Sequence, residues 1–223
     1  MVVLATKIYV SGDAKERAVD GLSNIVSNDI GDLNVRWDIG IRHDGFPSVT
    51  IEGEDKTAAQ NVLRDRFGEI TPTFEEGNIY VGTLERWDDD GFHLDAGNEM
   101  VIPPENIELG PGSPDQIRTR FGLIQHIPLR FEYTANECKL ADIEQDRLFT
   151  WTRGNGRVNI NSATRAEVRA TINKSGHADD IITVERLGLL EQSVICNEDT
   201  DPPGLLAAIG DYLPSELLCV IPS

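Results

Sequence analysis

Lysine is scarce in this chain: five lysines stand beside fifteen arginines, and the 20 basic residues together face 38 acidic ones, for a net charge of −18. Cysteine is scarcer still. Cys138, Cys196 and Cys219 are odd in number and lack CxxC spacing, so neither a disulfide framework nor a zinc site is indicated. No stretch approaches the ~20 apolar residues that span a bilayer. The opening MVVLATKIYVSGDAKER has only short apolar runs, interrupted by Lys7 and followed by charge, unlike a signal peptide. A cytoplasmic protein with no membrane partner is expected. Asn173-Lys174-Ser175 fits a glycosylation sequon by chance. His43, His93, His126 and His177 show no HxH, HExxH or HxxxH spacing. Neither GxxxxGK[ST] nor GxGxxG occurs. No catalytic residue, metal ligand or cofactor is therefore expected.

What is present is carboxylate. Excess surface acid with few lysines keeps a protein hydrated in concentrated salt, where its self-repulsion is screened. This composition is read as halophilic and archaeal. In such a proteome a net −18 does not argue against nucleic acid, and only the distribution of charge is informative. Phosphate contacts weaken steeply with salt, so a binder there must lean on stacking, hydrogen bonding and shape.

The chain divides by pattern. Residues 1–73 read as a βαββα unit: a strand over Val2–Val10, then a helix with Asp13 and Glu16 spaced as a capping box and Ala18, Leu22, Ile25 and Val26 as its stripe. Strands over Asn34–Ile41 and Ser48–Glu52 flank an Asp44-Gly45 turn. Asp55 is expected to cap a second helix with Ala58, Ala59, Val62, Leu63 and Phe67 on one side. Residues 74–135 carry short Gly-rich strands near Ile79–Leu84, Gly91–Asp95 and Met100–Ile102, a helix opening at Ser113-Pro114-Asp115-Gln116, and a strand at Pro128–Tyr133. That pattern fits a five-stranded barrel. Residues 136–147 are polar and read as a linker or exposed helix. Residues 148–223 read as βαββαβ, the ferredoxin-like order, with Thr164 and Glu167 spaced as a capping box and Asp201-Pro202 opening the last helix. The expected fold is α+β, with a barrel between two ferredoxin-like α/β units.

Gly77, Gly82, Leu84, the Asp88-Asp89-Asp90-Gly91 turn, Phe92, Leu94, Gly97 and Val101-Ile102-Pro103-Pro104-Glu105 make the middle segment resemble an S1-type OB barrel, an RNA-binding module of ribosomal and RNA-processing proteins. The resemblance implies that Phe92 lies on the face where such barrels stack a base. A second aromatic and a histidine usual in that module are replaced here by Asp90 and by Ile102 or Pro103. Phe121-Gly122-Leu123, Arg157-Val158-Asn159-Ile160-Asn161, Val184-Glu185-Arg186-Leu187-Gly188 and Pro202-Pro203-Gly204-Leu205 make the whole chain similar to an uncharacterised haloarchaeal and archaeal protein family of unknown function.

One charge reversal stands out. Residues 118–169 hold nine basic and six acidic side chains, whereas the remainder holds 11 basic and 32 acidic. The basic residues Arg118, Arg120, Arg130, Arg153, Arg157, Arg165 and Arg169, with Trp151 and Phe92, are the candidate nucleic-acid-binding set. Aromatics, arginines and the Gly154/Gly156 pair suit stacking and phosphate contact. The same arginines would equally serve an internal salt-bridge set. Two functions remain open. One is a non-enzymatic RNA-binding or ribosome- and translation-associated ribonucleoprotein factor. The other is a protein-interaction factor docking on RNA polymerase or another information-processing complex.

Overall fold

Periodicity builds the first unit. The computed structural model describes residues 1–134 and 137–222. In α1 (Asp13–Ile30), Ala18, Leu22, Ile25, Val26 and Ile30 recur at three- and four-residue spacing and are buried. They cover an antiparallel sheet of β1 (Val2–Val3), β2 (Val35–Ile41) and β3 (Pro47–Gly53), in the order β1-β3-β2. Helix α2 (Lys56–Phe67) adds Ala59 and Leu63 to that core, while Ala58 and Val62 face outward.

Three local expectations need correction here. The strand predicted over Val2–Val10 is only two residues long, because the β3 ladder it joins starts at Pro47 and pairing ends at Val3–Ser48. Beyond it, Ala5 and Ile8 donate to the carbonyls of Gly68 and Gly45, which lie in loops. The α1 capping box does not form: its N-cap is Gly12 and no side chain caps it. Asp55 occupies the N-cap of α2, yet its carboxylate accepts instead from the backbone N–H of Asn34, 2.8 Å away.

The second unit is a curled sheet. Strands β4 (Ile79–Asp88), β5 (Gly91–Asp95), β6 (Glu99–Ile102), β7 (Pro128–Tyr133) and β8 (Cys138–Leu140) pair antiparallel in the order β6-β5-β4-β7-β8. Its ends approach each other, with Cys138 Sγ on β8 4.0 Å from Met100 Sδ on β6. Helix α3 (Pro114–Phe121) has the capping box expected of Ser113 and Gln116, and stops at Gly122. The segment 136–147, expected as a linker or exposed helix, supplies β8 and the first half of α4 (Asp142–Arg153); Asn136 lies outside the described residues. Cys138 and Leu140 are buried and Lys139 between them is not, an alternation too short to read against its polar neighbours. Leu148 and Trp151 of α4 then pack into the core of this second unit rather than the third.

The third unit runs β9 (Arg157–Ile160), α5 (Arg165–Ser175), β10 (Ile181–Arg186), β11 (Gln192–Cys196), α6 (Pro202–Gly210) and β12 (Leu217–Val220). Its four strands lie antiparallel in the order β10-β11-β9-β12. Thr164 and Glu167 form the expected capping box of α5, and the Asp201 carboxylate accepts from Gly204 N at the start of α6. The result is a mixed α/β protein, with six α-helices and three antiparallel sheets among the described residues. No helix among them is long and apolar enough to cross a membrane.

The units interlock through one hairpin. Between β10 and β11, Leu189 and Leu190 insert into the core of the first unit, and Leu187 packs against the second. Thr6 Oγ1 accepts from Leu189 N at 3.1 Å. Val220 of β12 is likewise buried against the second unit. This shared packing fixes the three-way junction where the candidate site lies.

Candidate functional site

The arginine-rich seam read from the sequence is divided: Phe92, Trp151, Arg118 and Arg157 are buried, Arg130 and Arg165 half-buried, and Arg120, Arg153 and Arg169 exposed. Phe92 is 0% exposed and belongs to the second unit's core, so it presents no stacking face. Its neighbours on β5 are buried as well, so both sides of that strand are covered. Trp151 is 3% exposed, with the guanidiniums of Arg147 and Arg157 over its ring at 5.1 and 4.7 Å. Arg118, 6% exposed, pairs with Glu216 and lies 3.7 Å over the Trp87 ring. Arg157, 8% exposed, donates to Ser193 Oγ at 3.2 Å and sits 3.6 Å from Glu185. Burial holds both guanidiniums below their usual pKa, and the nearby Asp115 and Glu185 carboxylates work against that shift. Arg120 donates to the carbonyl of Pro111 and Arg153 lies against Phe149. Gly156 admits Pro202: a Cβ there would meet Pro202 Cγ at 2.4 Å, so the glycine serves packing and not a mobile loop. Arg169 is exposed on α5. The predicted residues therefore share no single accessible face.

Of that set, Arg130 alone lines the principal cleft. This cleft, of 690 Å³, opens where the three units meet. Five arginines line it: Arg64 and Arg66 from α2, Arg130 from β7, Arg147 from α4 and Arg186 at the end of β10. Only three carboxylates, Asp65, Glu69 and Glu75, share the wall. Tyr80, Phe67 and Ile79 supply apolar surface. Glu69 holds Arg64 through two contacts of 2.6 and 3.3 Å. Glu144, fully buried, accepts from Arg130 at 3.1 Å and from Arg147, so one carboxylate fixes two of the guanidiniums. Arg66 pairs with Asp29 of α1 at 3.0 Å. The exposed side chain of Arg186 makes no ion pair or hydrogen bond among the described residues.

Beneath the cleft lies a buried polar network that the sequence did not announce. Tyr9 donates to Glu191 Oε1 at 2.6 Å, accepts from Ser162 N at 2.9 Å, and stacks on the His126 ring at a centroid distance of 3.8 Å. His126 and Ser162 both have positive φ, 67° and 57°, which non-glycine residues adopt only where surrounding structure imposes it. His126 Nδ1 lies 3.1 Å from Glu85, which also accepts from Lys7 at 2.9 Å and Thr83 at 2.6 Å. One residue set thus joins all three units.

Its charges are shaped by burial. Glu191 is 1% exposed, and burial raises its pKa to about 8, outweighing the Tyr9 hydrogen bond. Gly188, in the cleft wall, leaves room for it: a Cβ there would lie 2.1 Å from Glu191 Oε2. Burial and the adjacent Glu191 also push the Tyr9 hydroxyl upward. Glu85 behaves oppositely. Burial would raise it, but contacts from His126, Thr83 and Lys7 lower it to about 2. No group of three or more His, Cys, Asp or Glu among the described residues is arranged to hold a metal ion. Burial raises the Cys138 and Cys196 thiols to about 11, as suits core residues.

No curated relative matches the chain. Family models do. Residues 1–73 match the DUF2110 N-terminal domain, 74–152 the DUF2110 central domain and 155–221 the DUF2110 C-terminal domain. The three matches run in order along nearly the whole sequence, and the chain belongs to the DUF2110 family.

Proposed function

We propose that the protein is a non-enzymatic RNA-binding or ribonucleoprotein-associated factor that meets its anionic partner at the three-unit cleft. The observation that carries this reading is the gathering of five of the chain's fifteen arginines on one cleft wall, one of which, Arg186, has no ion-pair partner among the described residues. Glu69, Asp29 and Glu144 hold the other four in place, and guanidiniums fixed together on one concave wall offer an anion a locally favourable surface in an otherwise acidic chain. Tyr80 and Phe67 beside those arginines add surface that stacks bases in high salt.

Strand order gives weaker support. The order β6-β5-β4-β7-β8, with α3 between β6 and β7 and β8 returning toward β6, is compatible with an OB-type barrel. The order β10-β11-β9-β12 is compatible with a ferredoxin-like unit. Both folds host many functions, so the cleft and not the fold bears the argument. The base-stacking role first read for Phe92 and Trp151 is not part of this proposal.

A second reading is protein docking. Strand β2 is an edge of its sheet, and its half-buried Val35, Trp37, Ile39 and Ile41 alternate along one face. Such an edge can accept a partner strand. Isolation of the protein from cell extract at native salt, with and without nuclease, separates the two. An RNA-dependent assembly collapses on digestion. An assembly that survives digestion intact overturns the RNA reading in favour of docking.

A further inference from the structure

A long, regular sheet edge is a template for another strand, and folded chains blunt such edges by shortness, bulges or cover. Most edges here are blunted. Strand β1 has two residues, β6 four, β8 three and β12 four. Strand β10 has six, but its register shifts between Ile181 and Thr183. Strand β2 departs from this pattern. It is the outermost strand of its sheet among the described residues, and its seven residues pair with β3 without a register shift. Half-buried Val35, Trp37, Ile39 and Ile41 alternate along it with exposed Arg36, Asp38 and Gly40. None of these residues lines the cleft, so this edge stands apart from the RNA reading.

The ladder fixes which backbone groups of β2 face outward. Arg42 N donates to Phe46 O at 3.0 Å, and on the far side of β3 Leu4 N donates to Pro47 O at 2.8 Å. Residues of an antiparallel strand turn their backbone groups alternately to one side and the other. With Val35 opposite Gly53 and Ile41 opposite Pro47, the backbones of Arg36, Asp38 and Gly40 therefore face β3. Those of Trp37, Ile39 and Ile41 face away from the sheet. The Val35 carbonyl faces outward too, while its N–H is taken by Leu33 O at 2.8 Å. Arg36 has only a contact of 3.9 Å with Glu52, between two exposed side chains, which holds it weakly.

We propose that β2 pairs antiparallel with β2 of a second copy of this chain, about a two-fold axis at Trp37, joining two three-stranded sheets into one. Charge selects both occupant and register. An axis at Asp38 would set Asp38 against the partner's Asp38, and an axis at Arg36 would set Arg36 against the partner's Arg36. An axis at Ile39 would set Arg36 against the partner's Arg42. The axis at Trp37 sets Arg36 against the partner's Asp38 and, by symmetry, Asp38 against the partner's Arg36. Both fall in non-hydrogen-bonded pairs, where opposed side chains are closest and opposite charges attract. Trp37 N–H then donates to the partner's Trp37 carbonyl, and Ile39 N–H to the partner's Val35 carbonyl. Neither bond needs the Val35 N–H already in use. The apolar side chains of both strands share one face of the joined sheet. One strand pair buries less than the ~1,600 Å² of a standard interface, so association is expected at about micromolar protein or above. Two chains of −18 also repel at low salt, so KCl favours the dimer.

The test is sedimentation velocity on the full chain in KCl, over protein concentrations from about 1 to 100 μM. Ile39→Pro removes only an outward N–H, so the β2–β3 ladder is kept. Asp38→Arg turns both cross-strand attractions into repulsions, and Arg36→Asp combined with Asp38→Arg exchanges the charges. The charge variants are compared at the lowest KCl concentration where the native chain dimerises, and circular dichroism checks that each is folded. A monomer–dimer equilibrium that Ile39→Pro abolishes, that Asp38→Arg weakens about tenfold and that the double exchange restores supports the proposal. Arg36 and Asp38 are exposed, so the charge variants decide the matter if the proline variant fails to fold. A chain that stays monomeric at every concentration overturns the proposal and leaves the edge to a strand of another protein. A dimer that ignores Asp38→Arg, or that the double exchange does not restore, overturns it as well.

Discussion

Two groups of arginines in this protein have opposite surroundings. Arg118 and Arg157 are buried, each paired with a carboxylate and laid over an indole ring. The side chains of Arg165 and Arg186 have no carboxylate within ion-pair distance among the described residues. In an acid-rich chain, local arginine density therefore says little. The informative arginine is the one that the surrounding carboxylates fail to reach. The first group is structural because its charge is already satisfied: a guanidinium held by acid and ring must give both up before holding a ligand. The second group has nothing to give up.

The largest expected effect tests whether this contrast depends on salt. Surface carboxylates repel across a Debye length of ~10 Å at 0.1 M salt but only ~3 Å at 1 M. Removing KCl should destabilise the chain by much of its folding free energy, which is on the order of 5–15 kcal/mol for a domain. Circular dichroism melts over that range check this. The pairs around Arg118 and Arg157, being buried, are screened little and cannot compensate. A melting temperature indifferent to KCl would contradict the halophilic reading and remove the need for compensating charge anywhere.

Next comes the seam itself. Trp151→Ala removes a buried indole from the second unit's core and strips two guanidiniums of their ring. We expect a loss of about 3–5 kcal/mol, read by urea unfolding. A loss below about 1 kcal/mol would mean that Trp151 is accessible after all, and the seam would return as a candidate ligand face.

How much of this contrast was legible beforehand follows from the range of each interaction. The capping boxes at Ser113–Gln116 and Thr164–Glu167 are three-residue events, and both form as read. The stripe Ala18, Leu22, Ile25 and Val26 is likewise local. At Asp13 and Asp55 the same spacing logic fails, because Gly12 takes the cap in one case and Asn34 captures the carboxylate in the other. Strand β8 escaped because three residues show no period. The cleft was almost invisible. Arg66 and Arg186 are 120 positions apart in sequence and share a cleft wall only because the Leu189–Leu190 turn enters the first unit. Tyr9, Glu85 and Glu191 have no shared motif for the same reason. Phe92 was read from a likeness of sequence, and its burial depends on what covers β5 on both sides.

The buried network beneath the cleft offers a smaller, pH-dependent test. Glu191 has a folded pKa of about 8 against an ordinary 4.5, so folding favours its protonated form. Its contribution is fully present below pH 4.5 and is lost as pH rises through 8. Glu85 runs the other way: lowered to about 2, it stabilises above its ordinary 4.5 and the gain disappears as pH falls toward 2. The native chain should therefore lose on the order of 2–4 kcal/mol between about pH 5 and 8 from Glu191. Glu191→Gln should flatten that alkaline slope and leave the acid limb unchanged. A variant whose melting temperature still falls with the native slope would show that Glu191 ionises freely and that the junction is wetter than its burial implies.

The smallest expected effect is the most discriminating. Arg186→Gln removes an exposed charge that has no carboxylate partner among the described residues and shares its cleft wall with Arg66. If Arg186 were a hidden part of the salt-bridge framework, its loss would resemble breaking a pair and cost a few kcal/mol. If Arg186 is instead held for a ligand, the ligand-free protein has nothing to lose. The substitution then relieves repulsion at a position open to the cleft. The change should stay within about 0.5 kcal/mol, as for surface positions away from core features, and its sign should be stabilising. Low salt should enlarge the gain, because screening by KCl already suppresses the repulsion in the native chain. Urea unfolding at two KCl concentrations, without phosphate in the buffer, reads both magnitude and trend. A destabilisation of about 2 kcal/mol or more would place Arg186 with Arg118 and Arg157, and the contrast between the two groups would vanish.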